Sequence, residues 1–413
     1  MAERGAWSPL RHSLFRAMWI ASVASNIGTW MHSVGASWLM TTLAPSPLLV
    51  ALVQTATTLP VFLLGLPAGV MADLVDRRKL LLFTQSWMLA VAALLGVLVM
   101  FGAVGPWWLL SLTFALGIGS AMNGPAWAAA IPELVPRNEL PAAVALNSVG
   151  FNIARAVGPA LGGIVMAALG AGAVFLANAV SFLGVIVVLW NWKEAPPAVR
   201  EPGTRFRDAM REGLVYVRGA RPFHAVLVRS GMFSLAGSAL WAMLPVVARQ
   251  EMKTTSLGYG ILLGCLGAGS VIGAAVLAPL RSRYSVDRIV AVGIVLFAIA
   301  TMALASMKTL VPATPAMVLG GIAWITIMSS FNVCAQTTPP QWMRARALAF
   351  YLLVFQGALA VGSGMWGEIA RHVGVRATLL LAAAAMLIGL AAGWNMKLST
   401  GTLAAPVEAV AAE

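Results

Sequence analysis

The amino-acid sequence predicts an all-α membrane protein of about twelve transmembrane helices, arranged as two pseudo-symmetric six-helix bundles. Three observations carry that prediction. Of 413 residues, 60% are hydrophobic and 10% charged, whereas a soluble domain carries about 25% charged residues. Apolar runs of spanning length recur along the chain. The second half of the sequence echoes the first.

A span needs about 20 mostly apolar residues to cross about 30 Å of hydrocarbon. The first six fall near 16–42, 47–74, 79–102, 106–130, 140–168 and 172–192. Turn signals separate them: Pro45 and Pro47, a charged stretch after Leu74, Gly105-Pro106, the Pro132 to Pro141 loop, and Gly170 to Gly172. A hydrophilic linker covers 193–221, and six more spans fall near 223–248, 257–280, 286–307, 314–337, 346–370 and 375–396. The bundles are thus 1–192 and 222–397, with a disordered tail over 398–413. Arg4, Arg11 and Arg16 precede the first apolar run as in a signal peptide, but the run is too long and no small-residue cleavage site follows, so it reads as a retained helix.

Orientation follows from the bases, because Lys and Arg are retained on the cytoplasmic side. Loops near 43–46, 103–105 and 169–172 carry none. Arg77, Arg78, Lys79, Arg137, the cluster from Lys193 to Arg221, Arg281, Arg283, Arg288, Arg344 and Arg346 all fall on the other side, which both termini share. The expected location is the cytoplasmic (inner) membrane. The net charge of +13 then reports topology and contact with anionic lipid, not nucleic acid.

The repeat is visible in GVMADLVDRR from Gly69 against AVLAPLRSRY from Ala275, an offset of about 206 residues, and in GPALGG from Gly158 against GSGMWG from Gly362. Ser120, Asn123 and Trp127 likewise stand opposite Ser329, Asn332 and Gln336. Parallel halves of this kind suit a transporter that rocks about a site between them.

Polar residues at helical spacing mark the faces of that site. In the first span Ser22, Asn26, Trp30, Ser33 and Ser37 recur every three or four positions and so share one stripe. The seventh repeats it with Ser230, Ser234, Gly237 and Trp241, the fourth carries Ser120, Asn123 and Trp127, and the tenth Ser329, Asn332 and Gln336. Any one of these groups could equally be helix-to-helix glue. Agreement across four spans in equivalent positions favours a cavity.

Ionisable groups at membrane depth are few, and such groups are costly. Arg155 is the deepest, mid-way along the fifth span with Asn147 and Asn152 on the same half, and a functional role is favoured over a bond to backbone carbonyls. Glu368 can pair with Arg371 at the rim, His32 lies off the polar stripe and reads as packed, and Arg229 near a helix start can snorkel. Enzyme chemistry has little footing. There is no GxxxxGK loop for a nucleotide, no HExxH, and no paired intramembrane carboxylate, while Cys265 and Cys334 sit in apolar runs without metal-ligand neighbours. No cofactor or metal is expected, and energy for uphill transport must come from an ion gradient or a partner.

GVMADLVDRR resembles the loop 2-3 signature of the major facilitator superfamily, G-x-L-A-D-x-x-G-R-R/K. Gly69, Ala72, Asp73, Arg77 and Arg78 match, while Met71 replaces Leu and Asp76 replaces the second Gly, a departure expected to cost the turn some left-handed freedom. The resemblance implies a latch between helices 2 and 11 built from Asp73, Arg77 and Arg78. Because Pro279 stands where Asp73 would fall in the repeat, that latch is one-sided. ARAVGPALGG resembles the helix 5 motif of the proton-linked antiporter branch, G-x(3)-G-P-x(2)-G-G, with Gly158, Pro159, Gly162 and Gly163 matching and Ala154 in place of the first Gly. The stretch from about residue 16 to about 165 looks like the transmembrane secretion effector subfamily, which includes the enterobactin exporter.

These observations together lead us to expect a monomeric, proton-coupled exporter of a small organic solute, siderophore-like, working by alternating access. Its cavity would be built from Asn26, Trp30, Ser33, Asn123, Trp127, Asn152, Arg155, Trp241, Asn332 and Gln336, with Asp73 and Glu368 as candidate proton carriers. A cavity with several tryptophans and Arg155 suits an anionic or aromatic solute better than a cationic drug. Broad drug efflux is the alternative within transport, and a non-transporting membrane scaffold or enzyme the alternative outside it.

Overall fold

The computed structural model describes residues 7–192 and 219–398. The expected linker and tail therefore lie almost wholly outside the described residues. Twelve long helices account for most of what is described. They are α1 (Ser13–Leu43), α2 (Pro47–Leu74), α3 (Arg77–Met100), α4 (Pro106–Leu134), α5 (140–169), α6 (171–191), α7 (Arg221–Val246), α8 (Ser256–Arg283), α9 (Val286–Ser306), α10 (Leu310–Thr337), α11 (Arg344–Val373) and α12 (Val375–Ala392).

The breaks have local causes. Proline in the first turn starts α2, α4, α5 and α7, where its missing N–H is no loss. Asp76 caps α3 by accepting from the Lys79 N–H at 2.8 Å, and Ser285 caps α9 by accepting from the Arg288 N–H at 3.4 Å. The α5 to α6 turn hinges on Gly170 (φ 82°) and the α11 to α12 turn on Gly374 (φ 85°), left-handed conformations that glycine adopts without strain. Asp76 itself has φ −54°. The expected cost of losing glycine there is not incurred, and the carboxylate serves as a cap instead.

By length and composition, nine helical segments among the described residues could cross a membrane, one of them the continuous α5 to α6 run. This is a multi-pass membrane protein. Those nine leave out α1 and α4, two of the four helices that carry the polar positions noted above. A helix that gives one face to water cannot also be uniformly apolar.

Packing repeats between the halves. Helix α1 packs on α5 as α7 does on α11, α2 on α4 as α8 on α10, and α3 on α4 as α9 on α10. Two exchanged pairs join the halves: α2 with α11, and α5 with α8. The glycine motifs explain how close these pairs come. A Cβ on Gly158 would stand 2.5 Å from Trp30 Cβ on α1, and one on Gly362 would clash with the Leu235 carbonyl on α7. A Cβ on Gly163 would stand 2.9 Å from the Ser256 carbonyl oxygen on α8, and one on Gly367 would stand 3.0 Å from Leu48 Cα on α2. Corresponding glycines thus meet corresponding helices, so the internal repeat is a repeat of contacts as well as of letters.

Candidate functional site

The helices alternate in direction, so the basic loops collect at one end of the molecule, the basic end. Between the halves lies a cavity of about 670 Å³. Its walls come from the part of each helix nearest the basic end: Ser22, Ser25 and Asn26 of α1, Gln85 of α3, Ser120, Asn123 and Trp127 of α4, Asn147, Asn152 and Arg155 of α5, and Ser329 and Asn332 of α10. Beyond Arg155 the halves close on each other. The Cβ positions of Gly260 and Gly267 on α8 would lie 2.8 Å from the Pro159 and Arg155 carbonyl oxygens. On the other seam the Thr55 hydroxyl donates to the Ala360 carbonyl at 2.9 Å, and Gly357 sits against Phe62. Towards the basic end the second seam loosens, since Gly65 and Gly69 have nothing within 4 Å of a Cβ. The cavity opens to the basic end and is shut at the other.

That shut end carries its own aromatic layer. Trp38 of α1 stacks on Tyr259 of α8 at 5.8 Å, and the Arg249 guanidinium lies 5.5 Å from the Trp38 ring. A shallower cleft of about 560 Å³ opens outward beside them, lined by Trp38, Arg249, Lys253 and Thr254 among others.

Within the main cavity most polar groups are fixed by neighbours. Asn123 Oδ1 accepts from Gln85 Nε2 at 3.1 Å with the Thr84 hydroxyl equally near, and Asn147 Oδ1 accepts from Trp127 Nε1 at 3.0 Å. Asn152 Nδ2 donates to the Ser148 carbonyl at 2.9 Å, and Arg281 Nη2 to the Ser329 hydroxyl at 2.9 Å. Arg155 differs from all of these. Among the described residues it has no hydrogen bond or ion pair; its guanidinium carbon lies 6.0 Å from the Trp30 ring and 6.0 Å from the Trp241 ring. Its buried Nε and the Trp241 Nε1 are both without partners. No acidic side chain lines the cavity among the described residues.

The other expected site residues divide by depth. Trp30 and Trp241 flank Arg155, one from each half, but neither is among the residues that line the cavity. Ser33, whose hydroxyl donates to the Thr29 carbonyl, lies outside the lining, and so does Gln336, which donates to Asn332. Gly158 and Gly162 face α1, while Gly163 and the Pro159 carbonyl face α8. Arg77 pairs with Glu133 of α4, and Arg78 donates from Nε and Nη2 to the Leu189 and Trp190 carbonyls at 2.9 Å each, so these partnerships stay inside the first half. The side chain of Asp73 lies outside the described set. Glu368 is far from the cavity, exposed beside Arg371 and His372 with Arg371 Nε donating at 3.1 Å. His32 is buried with its ring 4.7 Å from Phe175.

Arg229 does not snorkel. It is 5% exposed, pairs with Asp287 of α9, and donates to the Met396 carbonyl at 2.9 Å, while Asp287 also accepts from the Leu398 N–H at 3.2 Å. Sequence reasoning also missed Gln85 and Ser25. Thr84, Gln85 and Ser86 together interrupt an apolar run in α3, and that polar triplet was the available signal.

Comparison with known proteins bears on the same arrangement. The family model described as transmembrane secretion effector matches residues 4–409. The staphyloferrin A transporter of Staphylococcus aureus is 25% identical over 252 residues, 61% of this chain; the match spans 63% of that transporter, less than two thirds of its length. The multidrug efflux pump Tap of Mycobacterium tuberculosis is 24% identical over 87% of this chain and 88% of its own. Among solved structures, a bacterial homologue of the human lysosomal transporter Spinster, inward-facing and unoccupied, superposes with a TM-score of 0.74 at 15% identity, covering 94% of this chain and 96% of that one. The nucleoside transporter NupG (D323A mutant) gives 0.76 at 13% identity, covering 93% and 99%. At such identities the superpositions speak for the fold alone.

Proposed function

The chain belongs to the transmembrane secretion effector family of major facilitator transporters, and on that premise we propose that it exports a small organic solute, siderophore-like, from the cytoplasm in exchange for protons. One observation carries the reading: a solute-sized polar cavity opens only towards the basic end. Basic loops are retained in the cytoplasm, so this is a loading state. Rocking about the α2–α11 and α5–α8 seams would then release the solute on the far side of the cytoplasmic membrane. The chain acts as a monomer, each copy holding its own cavity between its own halves. Family membership removes the scaffold and enzyme alternatives.

The remaining assignments follow from this cycle. Asp73, Arg77 and Arg78 form the latch that holds α2 to α11 when the cytoplasmic end closes, and the glycines of α5 seal the seam that must not leak ions. Of the two proton carriers considered, Asp73 is favoured, because Glu368 is held at the far rim by Arg371 and His372. Siderophore export draws support from the staphyloferrin A transporter, and broad drug efflux from Tap, whose likeness runs over more of the chain.

Purified protein in proteoliposomes with an imposed pH gradient tests the reading. We expect uphill, proton-dependent movement of a catecholate or carboxylate siderophore and little movement of cationic dyes. Dye extrusion without siderophore flux would establish the drug-efflux reading instead, and flux indifferent to the pH gradient would remove proton coupling.

A further inference from the structure

The Arg155 site carries an inference about substrate class that rests on the exporter reading. We propose that Arg155, clasped by Trp30 and Trp241, binds the anionic group of the transported solute, and that the solute is an amphipathic organic anion whose carboxylate or similar planar oxyanion lies beside an apolar or aromatic body. A guanidinium at membrane depth is costly without a counter-charge, and no described residue supplies one here. Two indole faces stabilise the cation only in part. Its buried Nε and the neighbouring Trp241 Nε1 remain as unused N–H donors from opposite halves of the protein. A fork of N–H groups is the arrangement that planar oxyanions match in bidentate fashion.

The surroundings select the rest of the molecule. Asn26, Asn123 and Asn152 offer amide groups towards the basic mouth, while Trp241 leads into an aromatic cluster through Trp324 at 5.3 Å. A solute cation would meet the Arg155 charge with no carboxylate among the lining residues to offset it, and be repelled. The same pairing of guanidinium and indole recurs at the far end, where Arg249 covers Trp38 above a cleft that also holds Lys253. Among the described residues that line the cavity and this cleft, an anion thus meets a second cationic station and a cation meets no carboxylate.

Direct binding to purified protein in detergent, read by tryptophan quenching or calorimetry, tests this apart from transport. The probes are three naphthalenes with one ring system and different heads: a carboxylate, its neutral carboxamide and the corresponding methylamine. We expect the carboxylate to bind at least about tenfold tighter than the carboxamide and the amine not at all. Arg155→Gln should erase the preference while its melting temperature shows it folded, Arg155→Lys should keep part of it, and Trp241→Phe should weaken the carboxylate alone. Equal binding of carboxylate and carboxamide, no carboxylate binding, or a preference that survives Arg155→Gln overturns the proposal. Carboxylate preference without flux would sink the exporter reading and leave this one; flux without preference would do the reverse.

Discussion

The two halves share a packing scheme and differ in what they do with it. In the first half the cavity face is polar: asparagines on α1, α4 and α5 and the Arg155 guanidinium. In the second half the corresponding region is filled with rings, Phe233 and Trp324 5.7 Å apart, Trp324 and Phe355 6.1 Å apart, and the fully buried Tyr351. Over its most apolar 18 residues α7 is 78% buried, the highest share among the nine spans. A duplicated scaffold thus carries most of its cavity-facing polar groups on one copy and a dense aromatic packing on the other.

The sharpest way to break that division is to compare one basic-end ion pair from each half, Arg77–Glu133 and Arg229–Asp287. Removing Asp287 strands the Arg229 charge, whose side chain is 4% exposed, so Asp287→Ala should lower stability by about 3 kcal/mol. The thermal unfolding midpoint in micelles would show it, and a paired Arg229→Met, Asp287→Leu variant should recover much of the loss. Next come the seams. Gly260→Leu and Gly367→Leu each thrust a side chain into backbone on the neighbouring half, at a cost of about 1–3 kcal/mol, and should drive the protein towards the state open at the far end. Spin-label distances across that end would report the shift, and one seam responding without the other would break the symmetry. Thr55→Val removes a hydrogen bond across the α2–α11 seam worth about 1 kcal/mol, so the same distances should shift by about fivefold in population. The smallest effect belongs to Glu133→Ala. Its pair with Arg77 is about a quarter exposed on both sides, and its loss should cost at most about 1 kcal/mol.

Much of this architecture was legible in the sequence because lipid imposes length and composition on each span. The repeat was legible too, through GPALGG and GSGMWG, because close approach at equivalent seams needs glycine at equivalent places. The site was legible only in part. Periodicity gives an angle around a helix and says nothing of depth, so Asn26 and Ser33 share a stripe although only Asn26 lines the cavity. Gln85 made no stripe and escaped notice. Arg229 looked like a snorkelling residue because its partner, Asp287, is remote in sequence, as is Glu133 from Arg77.

The Arg229 to Asp287 pair also bears on how the protein enters the membrane. Chains emerge amino end first, so α7 presents its arginine to the translocon while the matching carboxylate is still 58 residues away. An unmatched arginine disfavours release into lipid, and α7 is the helix with least claim to a lipid-facing surface. It is therefore held back until α9 arrives, which makes α7, α8 and α9 one unit of insertion instead of three successive ones. Ribosome-stalled chains ending before Asp287 should keep α7 cross-linkable to the translocon, and chains long enough to expose α9 should not.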